Sequence, residues 1–235
     1  MNGENEGISF SSDFFVEMDV RSEDAHELAS EWFNEVVFTK KLVLESSPDW
    51  NLLRGEIKSL RESYGRVAIL IVTKKPSLIR EAKNRNLKAL IYVQGGNMRV
   101  NRTAIESGVD ALISPEFGRK DSGFDHVLAR LAAKNNVAVG FSIAPLLKAN
   151  PYERVQLLRF MIRNWRLVEK YRVPRFLTSS AENRWGVRSP RELMSLGIAL
   201  GMEVPHAKAS LSFYPEKILK RMFQPSFNAG NSSGS

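Results

Sequence analysis

VAILIVTKKPSLIREAKNRNLKALIYVQG, residues 67–95, shows the fold in one unit. The apolar, β-branched run from Val67 to Thr73 reads as a strand. It breaks at Lys74-Lys75-Pro76, where a proline suits the first turn of a helix, and an amphipathic helical segment follows. A second apolar run, LKALIYVQG from Leu87, closes the unit. Both runs are nearly continuous in apolar residues. That fits strands covered on both faces, as in a parallel sheet, better than strands with one wet face.

Outward from this unit the pattern repeats. FFVEMDV from Phe14 and VVFTKKL from Val36 precede it; ALISPEF from Ala111, VAVGFSI from Val137 and RFLTSSA from Arg175 follow. Helix starts stand between them at Ser22-Glu-Asp-Ala, Ser47-Pro48-Asp49 and Ser189-Pro190. Seven βα units without a dinucleotide fingerprint predict a closed parallel α/β barrel, TIM-like and of about seven strands, over an open doubly wound sheet. The expected organisation is a flexible N-terminus over 1–12 and a single barrel domain over 13–223, whose last helical stretch runs from about Val204 to Phe223. A disordered tail over 224–235 completes it, because PSFNAGNSSGS has too little apolar surface to order itself.

The chain has 235 residues, 43% of them hydrophobic, enough for one sizeable core. No apolar run approaches the roughly 18 residues of a membrane span, so the reading is soluble and unexported. The absence of cysteine excludes disulfides, thiolate metal sites and a cysteine nucleophile.

The net charge of +8 hides a split. Residues 1–35 carry ten acidic side chains against Arg21 alone, whereas residues 36–235 carry 33 basic and 16 acidic ones. Such a cationic body favours a polyanion, with nucleic acid ahead of a membrane because no basic anchor helix accompanies it. The acidic segment is expected to repel RNA and to meet a basic partner. Cations fall in the segments after successive strands: Lys40 and Lys41, Lys74 and Lys75, Arg99 and Arg102, Arg119 and Lys120, Lys148, then Arg184 and Arg188. In a barrel those segments share one face.

A helix over Asn150 to Tyr171 adds two stripes. Val155, Leu158, Ile162, Trp165 and Val168 are expected to face the core, and Arg159, Arg163, Arg166 and Lys170 recur on another face. Glu153 and Glu169 are its nearby acids, too few to neutralise the row. Trp185, between Arg184 and Arg188, reads either as a loop anchor or as a platform for an unpaired base. Gly95-Gly96 reads as a turn or as a close approach of backbone amides to a phosphate.

Catalytic equipment is sparse. His26, His126 and His206 lie in or beside helical segments, far apart in sequence, and Ser179-Ser180 has neither a nearby histidine nor a G-x-S-x-G context. No catalytic residue and no metal ligand set is assigned. The alternative is a metal-dependent phosphoesterase or nuclease on a TIM-like barrel using Glu17, Asp19, Glu116 and Glu182.

Two stretches, GVDALISPEFGRKDSGFDHVLARLAAKNNVAVGFSIAPLL (Gly108–Leu147) and FLTSSAENRWGVRSPRELMSLGIALGMEVPHAKASLSFYPEKIL (Phe176–Leu219), carry a family resemblance. They resemble the barrel-type protein subunit of archaeal and eukaryotic ribonuclease P, the component 3 family. The resemblance runs from about Phe14 to Arg221. Its most specific pieces are the RSP turn with the preceding SSA and the later AKASLS segment. It implies a seven-stranded barrel related in shape to metallohydrolase barrels without their ligands, in the compact archaeal form. It implies a cytoplasmic protein that binds ribonuclease P RNA, supports removal of the 5′ leader from precursor tRNA, and is not catalytic alone. The protein binds no cofactor in that family; the RNA subunit requires magnesium and cuts, and a small mixed α/β subunit is the protein partner. The positions matching the family's RNA contacts are Arg99, Arg102, Arg119, Lys170, Arg188 and Lys208. The charge pattern adds Arg159, Arg163, Arg166 and Arg184, whereas Lys208 comes from the resemblance alone.

Overall fold

The computed structural model describes residues 14–221. The flexible N-terminus expected over 1–12 and the tail expected over 224–235 lie outside the described residues. Seven strands occur where the apolar runs place them: β1 (Val16–Val20), β2 (Glu35–Leu44), β3 (Val67–Thr73), β4 (Leu90–Gln94), β5 (Ala111–Ile113), β6 (Ala138–Ser142) and β7 (Arg175–Thr178). They pair in sequence order, each parallel to the next. This sequential parallel order needs a helical crossover between neighbours. The crossovers are α1 (Glu23–Trp32), α2 (Trp50–Tyr64), α3 (Pro76–Asn84), α4 (Met98–Glu106) and α5 (His126–Asn135), then α6 (Ala144–Lys148) with α7 (Pro151–Lys170).

Alternation along the strands separates two apolar layers. Val16, Met18, Val37, Leu70, Tyr92, Ile113 and Phe176 fill the barrel interior. Ile69, Ile71, Ile91, Val93, Leu112, Val139 and Leu177 point outward into the layer under the helices. Burial on both faces is why the runs read as continuous. After α8 (Pro190–Ala199), the chain forms α9 (Val204–Ala209) and α10 (Phe213–Arg221). The single stretch predicted from Val204 is therefore broken, at Ser210–Ser212. Ile218 and Leu219 of α10 pack into the interior layer, and Arg221 Nη1 donates to the Asn136 carbonyl just before β6 at 2.6 Å. The helix thus covers the amino-terminal mouth of the barrel.

Two expectations fail locally. Lys40 and Lys41 lie inside β2, which runs on to Leu44, rather than after it. Lys40 pairs outward with Glu56 of α2 at 2.9 Å. On α7, Val155 is exposed, and the buried positions are Met161, Asn164, Trp165 and Val168.

β1 and β7 share no regular ladder; one bridge, Val20 to Ala181, joins them beyond the end of β7. Glu17 helps to close this seam by accepting from the Thr178 hydroxyl and from the Ser179 amide at 3.2 Å. Its carboxyl is fully buried. Loss of hydration outweighs those hydrogen bonds and pushes it up to about 7 from 4.5. Between these values the unfolded state releases a proton that the folded state keeps. The contribution of this carboxyl to stability is therefore complete below pH 4.5 and is lost as the pH rises to 7, a loss of roughly 3 kcal/mol. Urea unfolding of Glu17→Gln and the parent from pH 4 to pH 8 is expected to show the difference moving in the variant's favour by about that amount. A difference that stays constant over this range contradicts the assignment.

Candidate nucleic-acid interface

The loop between β5 and α5 sits at the centre of the cationic region, and buried amides hold it in place. Asn101, in the core-facing phase of α4, donates through Nδ2 to the carbonyls of Pro115 (2.9 Å) and Gly123 (2.8 Å). Its Oδ1 accepts the Gly96 amide at 3.2 Å. From the other side, Asn164 of α7 donates to Glu116 Oε2 at 3.0 Å and to the Ser122 carbonyl at 2.9 Å. Residues 114–123 are therefore pinned between α4 and α7. Glu116 is buried as well, and loss of hydration pushes its carboxyl up to about 7 against the hydrogen bond from Asn164.

The glycine pair belongs to this arrangement. A Cβ on Gly95 would collide with the Ser114 carbonyl and lie 2.6 Å from Pro115 Cα, and one on Gly96, at φ +130°, would lie 2.6 Å from the Phe117 carbonyl. The Gly95 amide donates to Ile113 at 2.8 Å and the Gly96 amide to Asn101. Both are consumed inside the protein. The pair is a close-packed turn and presents no amides to a phosphate.

The expected cations divide by how far they are already committed. Arg102 pairs with Glu106 at 2.7 Å, one turn along α4. Arg119 grips Asp121 with two bonds of 2.6 and 2.7 Å. Arg188 turns its guanidinium onto the carbonyls of Trp185 and Val187 at 2.9 and 2.7 Å. Lys41 and Lys148 converge on Glu182 at 3.0 and 2.7 Å, with Arg21 at 3.6 Å. The two lysines hold the Glu182 carboxyl down at about 2. Arg99, at the start of α4, has no ion-pair partner among the described residues. Trp185 is 81% exposed, with the Arg184 guanidinium 5.7 Å from its ring, so it does not anchor its loop.

The row on α7 differs in kind. Asn150 and Glu153 form a reciprocal capping box that fixes the start of the helix, with Pro151 in its first turn. Arg159, Arg163, Arg166 and Lys170 are all exposed along it. Of the two nearby acids, Glu153 is held in the capping box, and Glu169 lies 3.3 Å from His206 Nδ1, a contact that becomes an ion pair when the imidazole is protonated. Arg159, Arg163 and Arg166 have no carboxylate within ion-pair distance among the described residues. Arg163 still lies close enough to Asp121 to add to the lowering of that carboxyl, which comes chiefly from the hydrogen bonds of Arg119. This charge contact joins the row to the pinned loop. Lys170 lies 5.6 Å over the Tyr171 ring at the far end. Lys208 stands apart from the rim, half-buried in α9, which packs beside the last turns of α7 through His206.

The carboxylates of the phosphoesterase alternative do not converge. Glu17 is tied to Thr178 and Ser179, Asp19 holds Arg21 at 2.6 Å, Glu116 is tied to Asn164, and Glu182 is taken by the lysines. Among the described residues no three histidine, aspartate or glutamate side chains gather. Ser179 and Ser180 are buried, and no base contacts their hydroxyls.

A family model described as RNase P subunit p30 matches residues 25–223. Ribonuclease P protein component 3 of Thermococcus kodakarensis is 70% identical over 217 residues, covering 92% of this chain and 99% of the relative. A chain in a cryo-EM structure of archaeal ribonuclease P with mature tRNA superposes with a TM-score of 0.72 at 29% identity, over 93% of this chain and 97% of that one. A prolidase crystal structure superposes with a TM-score of 0.61 at 9% identity, over 92% of this chain and 76% of that one, which is a likeness of fold alone.

Removing Asn101 leaves two buried carbonyls and one amide unpaired. Asn101→Ala is expected to cost on the order of 3 kcal/mol. Amide hydrogen exchange should quicken across residues 117–123 and stay unchanged in β1 to β3. Uniform exchange through the whole chain contradicts a local pinning role.

Proposed function

This chain belongs to the RNase P subunit p30 family, and on that premise we propose that it binds ribonuclease P RNA through the α7 row and the neighbouring cationic loops. The protein is a subunit of ribonuclease P, with a role in removing the 5′ leader of precursor tRNA. The observation that carries the RNA-binding reading is the exposed run of Arg159, Arg163 and Arg166, which have no carboxylate within ion-pair distance among the described residues. A buried or internally paired arginine costs desolvation or partner exchange before it can take a phosphate. An exposed one does not, and its planar fork suits a phosphate bidentately. Counterions released from the RNA then supply much of the affinity.

Arg99, Arg184 and Lys170 extend this surface, Lys208 on α9 adds a family-matched position apart from the rim, and Trp185 beside Arg184 offers a platform for an unpaired base. Arg102, Arg119 and Arg188 contribute less on first contact. Each holds a protein acceptor already; the exposed Arg102–Glu106 pair, worth about 0–1 kcal/mol, exchanges readily for a phosphate, whereas the Arg119 and Arg188 side chains are largely buried. Bond cleavage and its magnesium belong to the RNA in this reading, and the protein holds the RNA and binds no cofactor. A small mixed α/β subunit is its protein partner, precursor tRNA is the substrate of the assembly, and the setting is the cytoplasm.

Alanine at Arg159, Arg163 or Arg166 is expected to weaken binding of ribonuclease P RNA and to reduce the slope of log K against log salt by roughly 0.7–0.9 per residue. Arg102→Ala should change the slope less. Filter binding over a salt series measures both, alongside precursor-tRNA cleavage reconstituted with each variant. Parental slopes and cleavage in all three row variants overturn the site. Phosphodiester turnover by the isolated chain with magnesium, manganese or zinc, abolished by Asp19→Ala, would favour the enzyme alternative.

A further inference from the structure

The polar face of α7 continues beyond Arg159 towards the start of the helix. Gln156 and Tyr152 stand three and seven residues before it, on the same side. Both line a cleft of about 880 Å³ between α6, the first half of α7 and the pinned loop after β5. Phe117, Pro145, Tyr152 and Phe160 form its apolar walls. Phe117 is 46% and Tyr152 74% exposed, so two large rings face solvent in one groove. Arg119, Lys120 and Lys148 supply positive charge at the same cleft, Lys148 being shared with Glu182. The lining holds one carboxylate, Glu153, which is turned back onto its own helix to accept the Asn150 amide at 3.3 Å. Apolar walls with exposed rings, beside Lys120, which has no ion-pair partner among the described residues, and beside Arg119 and Lys148, which hold Asp121 and Glu182, suit a ligand with a flat π face and a phosphate beside it.

We propose that this cleft receives an unpaired nucleobase of the bound RNA, stacked against Tyr152 and Phe117. The adjoining phosphates meet Arg119 and Lys120 on one side and the α7 row on the other. The inference rests on the RNA-binding reading and names the element of RNA that the site takes: a single-stranded nucleotide whose base is splayed from its neighbours. An apolar peptide would leave Lys120 without a complement and offer nothing in exchange for the carboxylates that Arg119 and Lys148 now hold, whereas an RNA strand supplies one phosphate per nucleotide. Stacking is largely indifferent to base identity, so the cleft selects unpaired over paired RNA more than one base over another.

The test uses the full-length chain and a ten-nucleotide oligouridylate with one central 2-aminopurine, whose fluorescence falls on stacking. Binding to the parent should quench the probe. Tyr152→Ala and Phe117→Ala should each weaken binding roughly 5- to 100-fold and restore fluorescence while leaving the salt slope unchanged. Tyr152→Trp should retain quenching. Both side chains are exposed, so the alanine variants should melt like the parent, and circular dichroism confirms their folding. Arg163→Ala should flatten the salt slope and keep the quench. Aromatic variants that bind and quench like the parent, while Arg163→Ala still binds more weakly, overturn the cleft inference and leave the RNA reading standing. Loss of binding to the small mixed α/β subunit in Tyr152→Ala, with RNA binding intact, assigns the groove to a protein and also overturns the inference. If the parent fails to bind RNA at any salt concentration, the RNA reading falls and the cleft proposal falls with it.

Discussion

Two buried asparagine side chains set the geometry of the proposed interface. Asn101 and Asn164 satisfy the inward polar groups of the loop after β5 from opposite sides, one from α4 and one from α7. Left unpaired, those carbonyls would each cost about 1–3 kcal/mol, so the loop cannot leave this position without a penalty comparable to a sizeable part of a domain's stability. Arg119, Lys120 and Phe117 thereby hold fixed positions against the helix that carries the arginine row. The outer contacts of the loop, such as Arg119 with Asp121, are exchangeable, whereas its inner contacts are not.

A second constraint keeps the positive charge usable. Acidic residues are concentrated at the start of the chain, and those elsewhere near the rim are tied to particular partners. Glu182 gathers Lys41, Lys148 and Arg21, Glu153 caps its own helix, and Glu169 lies within reach of His206 when that imidazole is protonated. Arg159, Arg163 and Arg166 are left without a carboxylate at ion-pair distance among the described residues, although the net charge of the whole chain is only +8. Asp24 shows how the acidic segment joins the structure: its carboxylate accepts the Arg184 amide at 2.9 Å and helps to hold the loop that displays Trp185. The barrel interior is filled mainly by apolar side chains, so the surface is where this architecture can engage a polyanion.

Much of this was legible in the sequence. Apolar runs marked all seven strands because most of these strands are buried on both faces, and helical spacing marked α7 from Asn150 onward. The arginine row was visible as a period, and it emerges on the solvent side because Trp165 and Val168 fix the opposite phase. The length of β2 was less legible: Lys40 and Lys41 are strand residues whose charges are met by Glu56 and Glu182, partners supplied by the tertiary fold. Val155 followed the apolar period but lies where α7 overhangs the barrel rather than packing on it. Asn101 and Asn164 stand outside the charge and apolar patterns, although an asparagine in the buried phase of a helix is itself a signal, since it is a poor helix former that must find partners when buried. The cleft had no local signature, because its walls come from three separate segments.

The central claim is that RNA lies along α7. The natural chain has no cysteine, so one introduced thiol can carry an iron chelate that cuts nearby RNA with hydroxyl radicals. Placed through Gln156→Cys on α7, the chelate should cut ribonuclease P RNA in a confined set of nucleotides. Placed through Lys58→Cys on α2, across the barrel, it should cut far less. Equal cutting from both positions, or stronger cutting from α2, would contradict the account.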